Sequence, residues 1–449
     1  MVIVLWCGAN VTQASTLTEY QNAENEYLQA VISLATYSDR IGQFARYALN
    51  EQGWDIVEYQ DKYQNAHARI ILAKKKDLSG AELYILAVPG TENLKDAVID
   101  LTFDKVYFAG HNPTEFVENA NKKNVSNDLP KVHKGFNKYT QAMFSEKMLQ
   151  LNEEYQEHII HLLKNNPQAK VYLTGHSLGG AVATIGAARL ISMDIDPKQI
   201  EVLTFGAPAV GNQAFADEIG AKINLKRVVL AGDGIVDSFK VMVGGYVQFG
   251  KEEKWKLASS VAKHPHRILA YVDAAIRNYY DKKAEAENNN ELYSPVEKNS
   301  KGKEKVSIAK LNIKAPLELT DDFYYMEQVM ADVYRNHLGS YEFIAEAGQS
   351  VTENLNIAKR QQSEFLFIPE LEIYNDKTAK GKVYKVQLTL YVYNVVKGTL
   401  ERAFVYCNDT DSFTPIEAVM YNNINMLNDL KDLKDLKDLK DLKDLKDLK

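Results

Sequence analysis

The residues with the clearest chemical meaning form one continuous stretch, from Val171 to Ala181, which reads Val-Tyr-Leu-Thr-Gly-His-Ser-Leu-Gly-Gly-Ala. A short apolar run that favours a strand ends in Gly-x-Ser-x-Gly, and a run that favours a helix follows at once. A serine on such a strand-to-helix turn projects out of the sheet, and the first N–H groups of the new helix point towards it. This pattern is typical of a serine nucleophile whose reaction intermediate carries an oxyanion.

A serine hydroxyl needs a base to take its proton, and the base needs a carboxylate to hold it in the right tautomer. Among the nine histidines, His266 is the preferred base because it follows the last predicted strand and opens a helix. His264, two residues earlier, is the alternative. The preferred acid is Asp233, which comes directly after the predicted strand 227–231, with Asp237 as its alternative. The chain order serine, aspartate, histidine is the order used by α/β-hydrolases.

Two backbone donors are needed to stabilise an oxyanion. The sequence offers the N–H of Leu178, at the start of the helix that follows the serine. A second donor is expected from a loop after an earlier strand, where Val88-Pro89-Gly90-Thr91 is the candidate. Thr91 could contribute both its N–H and its hydroxyl.

The elements around these residues alternate between strands and helices. Near-continuous apolar runs at 69–73 and 83–88 are typical of strands covered on both faces. Helices are predicted over 16–51, over 141–166 and from His266 past Tyr280. The pattern predicts an α/β fold: an α/β-hydrolase sheet with flanking helices, followed by a smaller α+β C-terminal domain.

Composition narrows the range of functions. The chain has 449 residues, 45% of them hydrophobic, and a net charge of -7, which argues against a nucleic-acid partner. Its two cysteines are too few for a disulfide framework or a cysteine-based zinc site. His158 and His161 lie three residues apart but have no carboxylates converging on them, so we expect solvated helix residues here and no metal.

Composition also predicts the domain boundaries. We expect a hydrolase-like domain over 16–280, a polar linker over 281–306, an α+β domain of unknown role over 307–428 and an Asp-Leu-Lys repeat tail over 429–449. In a helix, a repeat of three residues spreads leucines over every face, so the tail is expected to be solvated, and disordered or marginally helical. Residues 1–15 resemble the end of a secretory signal, which predicts a secreted or envelope-associated protein. If they are not a signal remnant, the protein is cytoplasmic.

Taken together, these motifs resemble the fungal-type (class 3) lipase family, over roughly residues 20–280. The matching segments, besides the one around Asp233, are Pro89-Gly90-Thr91, Val132-His133-Lys134-Gly135-Phe136, Gly175 to Ala181, Thr204 to Asn212, and His266-x-x-x-x-Tyr271. The resemblance implies a triad of Ser177, Asp233 and His266 and an oxyanion hole of Thr91 and Leu178. It also implies a lipid or other acyl-ester substrate, met at a membrane or lipid interface, and no cofactor.

The chain departs from the family pattern at two places. Pro89 stands where the family usually has arginine, and Asp233 is followed by an extra residue and no Val-Pro pair. The leading hypothesis is therefore a triacylglycerol lipase-like ester hydrolase. The alternatives are a phospholipase A, a polysaccharide-ester hydrolase, or a catalytically decayed envelope binding or scaffold protein. Residues 103–129, with an aromatic cluster, are expected to form either core or a lid.

Overall fold

The computed structural model describes most of the chain. The described residues are 15–60, 68–76, 82–91, 104–144, 150–152, 157–236, 244–260, 264–292, 305–346, 350–379 and 383–444. The predicted signal remnant over 1–15 therefore lies, except for its last residue, outside the described residues. Asp237 also lies outside them.

The secondary structure is numbered in chain order. The helices are α1 (Thr16–Ala35), α2 (Arg40–Glu51), α3 (Pro113–Ala120), α4 (Lys134–Met143), α5 (Ile159–Asn165), α6 (Leu178–Ser192), α7 (Gln213–Ile219), α8 (Ile268–Asn288), α9 (Phe323–His337), α10 (Val351–Arg360) and α11 (Pro415–Asp444). The strands are β1 (Asp55–Gln60), β2 (Arg69–Lys76), β3 (Glu82–Val88), β4 (Lys105–Tyr107), β5 (Lys131–His133), β6 (Gln150–Asn152), β7 (Glu157–His158), β8 (Lys170–His176), β9 (Ile200–Phe205), β10 (Asn224–Leu230), β11 (Lys251–Trp255), β12 (Val306–Ile308), β13 (Asn312–Lys314), β14 (Tyr341–Phe343), β15 (Phe365–Asn375), β16 (Tyr384–Asn394) and β17 (Thr399–Asp409).

The first sheet has seven strands in the order β1-β2-β3-β8-β9-β10-β11. The pairs β1–β2 and β2–β3 are antiparallel, and every pair from β3 to β11 is parallel. Apolar side chains fill both faces: one face shares a core with α1, α2 and α8, and the other with α4, α5 and α6. The predicted α/β-hydrolase sheet with flanking helices is confirmed, and its central strand β8 leads directly into Ser177.

Two helix predictions needed correction. The single helix predicted over 141–166 is wrong: α4 ends at Met143, β6 and β7 pair with each other, and α5 begins at Ile159. The His158 side chain accepts the Ile160 N–H and so caps a new helix start. The helix predicted over 16–51 is likewise two helices, because Asp39 caps α2 through the N–H of Gly42.

The polar linker predicted from Asp281 starts too early, because α8 continues to Asn288. The polar residues of its last turns have partners on neighbouring helices. Lys282 forms an ion pair with Glu19 at 2.7 Å, and the Tyr325 hydroxyl donates to Asp281 at 2.9 Å. Residues 293–304, where the rest of the linker was predicted, lie outside the described residues.

A second sheet occupies the C-terminal region. Its order is β14-β12-β15-β16-β17, with β13 also paired to β15, and β15, β16 and β17 form antiparallel neighbours. The alternation predicted for β16 is present at its start, where Val386 and Leu388 are fully buried and Lys385 and Gln387 are half-exposed. It is wrong at Thr389, which was predicted on the wet face and is buried. Helices α9 and α11 pack on the buried face. The backbone of α11 stays helical through the repeat tail to Asp444, and 445–449 lie outside the described residues.

The segment expected to form core or lid is mostly exposed over its described part, 104–129, but two of its aromatic side chains pack into the core. Phe108 and Phe116 are buried, and the Arg189 guanidinium lies 3.8 and 4.0 Å from the centres of their rings. This favours core for those two side chains, while Phe103 lies outside the described residues. Among the helices described here, none is long and apolar enough to span a membrane.

Candidate active site

Ser177 lies at the sharp turn between β8 and α6. Its backbone has φ 56° and ψ -123°, a strained conformation for a residue other than glycine. The flanking glycines permit the turn: a Cβ on Gly175 would lie 2.5 Å from the carbonyl carbon of Gly179, and a Cβ on Gly179 would lie 2.1 Å from the Val88 oxygen. The Ser177 N–H also donates to the Phe205 carbonyl at 2.9 Å, which ties the turn to β9.

Three side chains predicted from the sequence meet at this turn. The Ser177 Oγ lies 2.8 Å from the His266 Nε2, and the His266 Nδ1 lies 2.7 Å from the Asp233 Oδ2. Asp233 and His266 stand on loops at the carboxyl end of the sheet, after β10 and before α8. The three residues are buried or nearly so, which shields their hydrogen bonds from water.

The alternatives are not equivalent in position. His264 is exposed. Its backbone carbonyl accepts the N–H of Arg267 at 3.0 Å. Asp237 lies outside the described residues. The geometry therefore brings together the preferred acid and the preferred base.

Asp233 is held in place by donors besides His266. The Ile235 N–H donates to its Oδ1 at 3.0 Å, and the Tyr271 hydroxyl donates to its Oδ2 at 2.5 Å. Burial and the negative charge of Asp233 raise the pKa of Tyr271, so its hydroxyl stays protonated as a donor. Tyr271 belonged to the matching motif, but the sequence assigned it no role.

His176, inside the Gly-x-Ser-x-Gly motif, is hydrogen-bonded to the backbone of the base, His266. Its Nε2 lies 2.8 Å from the carbonyl oxygen of His266, and its Nδ1 lies 2.7 Å from the Tyr37 hydroxyl. A carbonyl can only accept, so Nε2 carries the proton and Nδ1 accepts from Tyr37. Burial lowers the pKa of His176 well below its ordinary value, which keeps the ring neutral. Sequence reasoning missed both residues, and Tyr37 gave no signal at all.

The two predicted oxyanion donors, Leu178 and Thr91, lie on the two segments that adjoin the serine turn. Leu178 is the first residue of α6, where backbone N–H groups have no partner within the helix. The turn at Pro89 and Gly90 lies against the serine turn, since a Cβ on Gly90 would be 2.8 Å from the His176 oxygen. Thr91, half-buried, follows this contact.

The other residues that could suggest chemistry have structural contacts. His133 is buried and caps α4 by accepting the Phe136 N–H. His161 is hydrogen-bonded to Asn165 on the same helix. In the part of the chain that the structure describes, no group of three or more His, Cys, Asp or Glu side chains could hold a metal ion.

The sequence is similar to known lipases over part of its length. Residues 85–242 match the family Lipase (class 3). A secreted mono- and diacylglycerol lipase 1 from Fusarium solani is 41% identical over 81 residues, which are 18% of this chain and 23% of that protein. A lipase from Rhizopus niveus is 28% identical over 175 residues, which are 36% of this chain and 38% of that protein.

The matched segments thus span well under half of the length of these curated relatives. Among solved structures, the triacylglyceride lipase of Rhizomucor miehei aligns with a TM-score of 0.40 and 21% identity, covering 53% of this chain and 80% of that chain. The fold assignment rests on the strand order described above. Over residues 85–242, the sequence of this chain is therefore similar to the class 3 lipase family.

Proposed function

We propose that this protein is a serine-dependent carboxylic-ester hydrolase of the lipase type, with lipid esters as its substrates. The observation that carries the proposal is the continuous hydrogen-bond chain from the Ser177 Oγ through His266 to Asp233. This geometry, on a strained turn at the carboxyl end of a mostly parallel sheet, supports nucleophilic acyl transfer.

In the first half of the reaction, the Ser177 Oγ attacks the ester carbonyl while its proton passes to the His266 Nε2. The carbonyl oxygen becomes an oxyanion, which the N–H of Leu178 and the backbone and hydroxyl of Thr91 stabilise. Asp233 accepts the Nδ1 proton in a hydrogen bond and stabilises the imidazolium. When the intermediate collapses, the bond to the alcohol oxygen breaks, and His266 returns the proton to that oxygen.

In the second half, water attacks the acyl-enzyme and gives a proton to His266. The bond between the acyl carbon and the Ser177 oxygen then breaks, the serine regains its proton and the carboxylic acid leaves. Each step uses only this chain's side chains and backbone and water.

The matches to lipases support lipid esters over other acyl esters. A match to a protein named as secreted supports a site of action outside the cell or at its envelope.

The test is hydrolysis of p-nitrophenyl esters from acetate to palmitate by the full chain, with Ser177→Ala beside it. We expect the variant to lose at least about a thousandfold in kcat. Ser126→Ala, in an exposed loop, serves as a matched control and should retain full activity. Triacylglycerol and phospholipid substrates then separate the lipase from a phospholipase A. Folded protein without activity on any ester would contradict the proposal and favour a decayed scaffold.

A further inference from the structure

Helix α8 links the candidate active site to the C-terminal region. It begins at Ile268, two residues after His266, and its first nine residues are all buried. The backbone that carries His266 therefore cannot move unless the start of α8 moves with it. Whatever packs against α8 also restrains the base.

The apolar contact between α8 and the C-terminal region is continuous. One core cluster contains residues of α1, α2 and α8 together with residues of α9, β15, β16 and α11. Phe44 of α2 lies 6.1 Å from the ring of Phe413 and 5.5 Å from the ring of Tyr421, between centroids. Removing the C-terminal region would expose this core to water, so the two parts fold as one unit.

Polar contacts fix the register of α8 against that region. Arg277 of α8 contacts Asp273 on its own helix at 2.6 Å and Asp322, just before α9, at 2.7 Å. Both carboxylates are buried, so each depends on the guanidinium to offset the loss of hydration. One turn further along α8, the Tyr280 hydroxyl donates to Asp332 of α9 at 2.9 Å.

The contacts closest to the base lie at the N-terminal end of α8. Arg267, the neighbour of His266, donates from both guanidinium nitrogens to the Asp411 carbonyl, at 3.3 and 3.2 Å. Thr414 and Glu417 cap the start of α11 reciprocally, at 3.3 and 3.0 Å. The Thr414 hydroxyl also donates to Asp273. The loop and helix start over 411–417 therefore contact α8 on either side of its first turn.

We propose that the C-terminal region, residues 305–444, is a built-in positioning partner of the active site, holding His266 in place through Arg267 and Asp273. The inference rests on the proposed function for its catalytic readout. Arg267 and Asp273 are positioning residues, since neither touches the reacting atoms.

The first test compares Arg267→Ala, Arg267→Lys and Arg360→Ala in the full chain on p-nitrophenyl butyrate. Loss of the Asp411 contact should lower kcat about tenfold and leave KM nearly unchanged, because a displaced base slows chemistry and not binding. Lysine should restore part of kcat. Arg360, exposed on α10, is the matched control and should behave as wild type. Equal kcat in all three variants would overturn the proposal.

The second test works from the other side of the contact and does not depend on activity. In Thr414→Val, amide hydrogen exchange over 264–272 should accelerate at least about tenfold, while exchange in β8 stays unchanged. Wild-type protein that is inactive on every ester, combined with this acceleration, would overturn the function but not the positioning role. Unchanged exchange over 264–272 in a folded variant would overturn the positioning role even in an active enzyme.

Discussion

The two large sheets of this molecule both bury apolar residues but differ in what they bring together. In the first sheet, parallel strands buried on both faces end at one edge, where residues 89 and 33 positions apart in the chain meet as Ser177, His266 and Asp233. In the second sheet, β15, β16 and β17 are successive antiparallel strands, so each pairs mainly with its neighbour in sequence.

The difference lies in the connections. Parallel strands need crossovers, and these return every strand's carboxyl end to the same edge, where loops from distant segments converge. In the second sheet, the hairpins β15–β16 and β16–β17 alternate their ends, so their loops do not converge on one edge. The parallel strands of that sheet, β12, β13 and β14, are only three residues long. The reactive groups therefore belong to the first sheet, whereas the second contributes the helices that pack against α8.

The largest effect is expected from replacing Asp233, the proposed acid at the edge of the first sheet. Asp233→Asn keeps the size of the side chain but presents an amide to the His266 Nδ1, which favours the wrong tautomer. We expect kcat to fall about a thousandfold to ten-thousandfold, with thermal unfolding little changed. The measurement is steady-state ester hydrolysis, with Asp128→Asn in an exposed loop as the control. A loss below tenfold would remove Asp233 from the proposed triad.

Two glycines of α6, the helix that follows Ser177, should differ in how their substitution changes stability. Gly179→Ala places a Cβ 2.1 Å from the Val88 oxygen, so we expect the free energy of unfolding to fall by about 3 kcal/mol, together with activity. At Gly186 the added Cβ would have only ordinary contacts, at 3.4 Å from Leu173 and 3.7 Å from Met143. There alanine should be neutral or stabilise by up to about 1 kcal/mol. Urea unfolding measures both, and equal effects at the two positions would contradict the close contact of Val88 with the serine turn.

The smallest expected effect concerns Glu417, at the contact between α8 and the C-terminal region. Burial, with a smaller contribution from the nearby Asp273 carboxylate, raises the pKa of Glu417 to about 8 against the lowering effect of the Thr414 N–H and hydroxyl and of Arg267. Tyr27 and Tyr421 also face this carboxyl group. The folded protein therefore holds a proton that the unfolded chain releases near pH 4.5, so stability should fall as pH rises from about 4.5 to about 8.

Glu417→Gln removes this proton without changing the side chain's size. Relative to the melting temperature of the wild type, that of the variant should rise by a few degrees between pH 5 and pH 8. The difference should stay constant above pH 8. Melting curves of wild type and variant across this range measure the effect. Parallel curves would contradict a neutral, buried Glu417.

Much of the first sheet could be predicted from the sequence. The apolar runs of β2, β3 and β8 are long enough to identify buried strands, and Gly-x-Ser-x-Gly at the end of β8 identifies the turn. Ser177, Asp233 and His266 could be chosen because strand ends are readable from the chain. The alternation at the start of β16 was equally readable, since one of its faces is wet there.

The sequence could not predict contacts between distant residues that use common groups, such as a backbone carbonyl or a tyrosine hydroxyl. Arg267 meets a backbone carbonyl 144 positions away, and any residue at 411 has that carbonyl. Tyr37 reaches His176 only because it lies in the break between α1 and α2. Helical periodicity does not reveal this break. The extent of α8 was underestimated because its polar last turns are stabilised by partners on other helices and not by burial.

The most direct test of the central claim is covalent labelling of the full chain with a fluorophosphonate, with the modified residue located by mass spectrometry. The account predicts one rapidly labelled serine, Ser177, with labelling abolished in Ser177→Ala and slowed at least about a hundredfold in His266→Ala. Folded protein that takes up no label, or that is labelled at another serine, would contradict it.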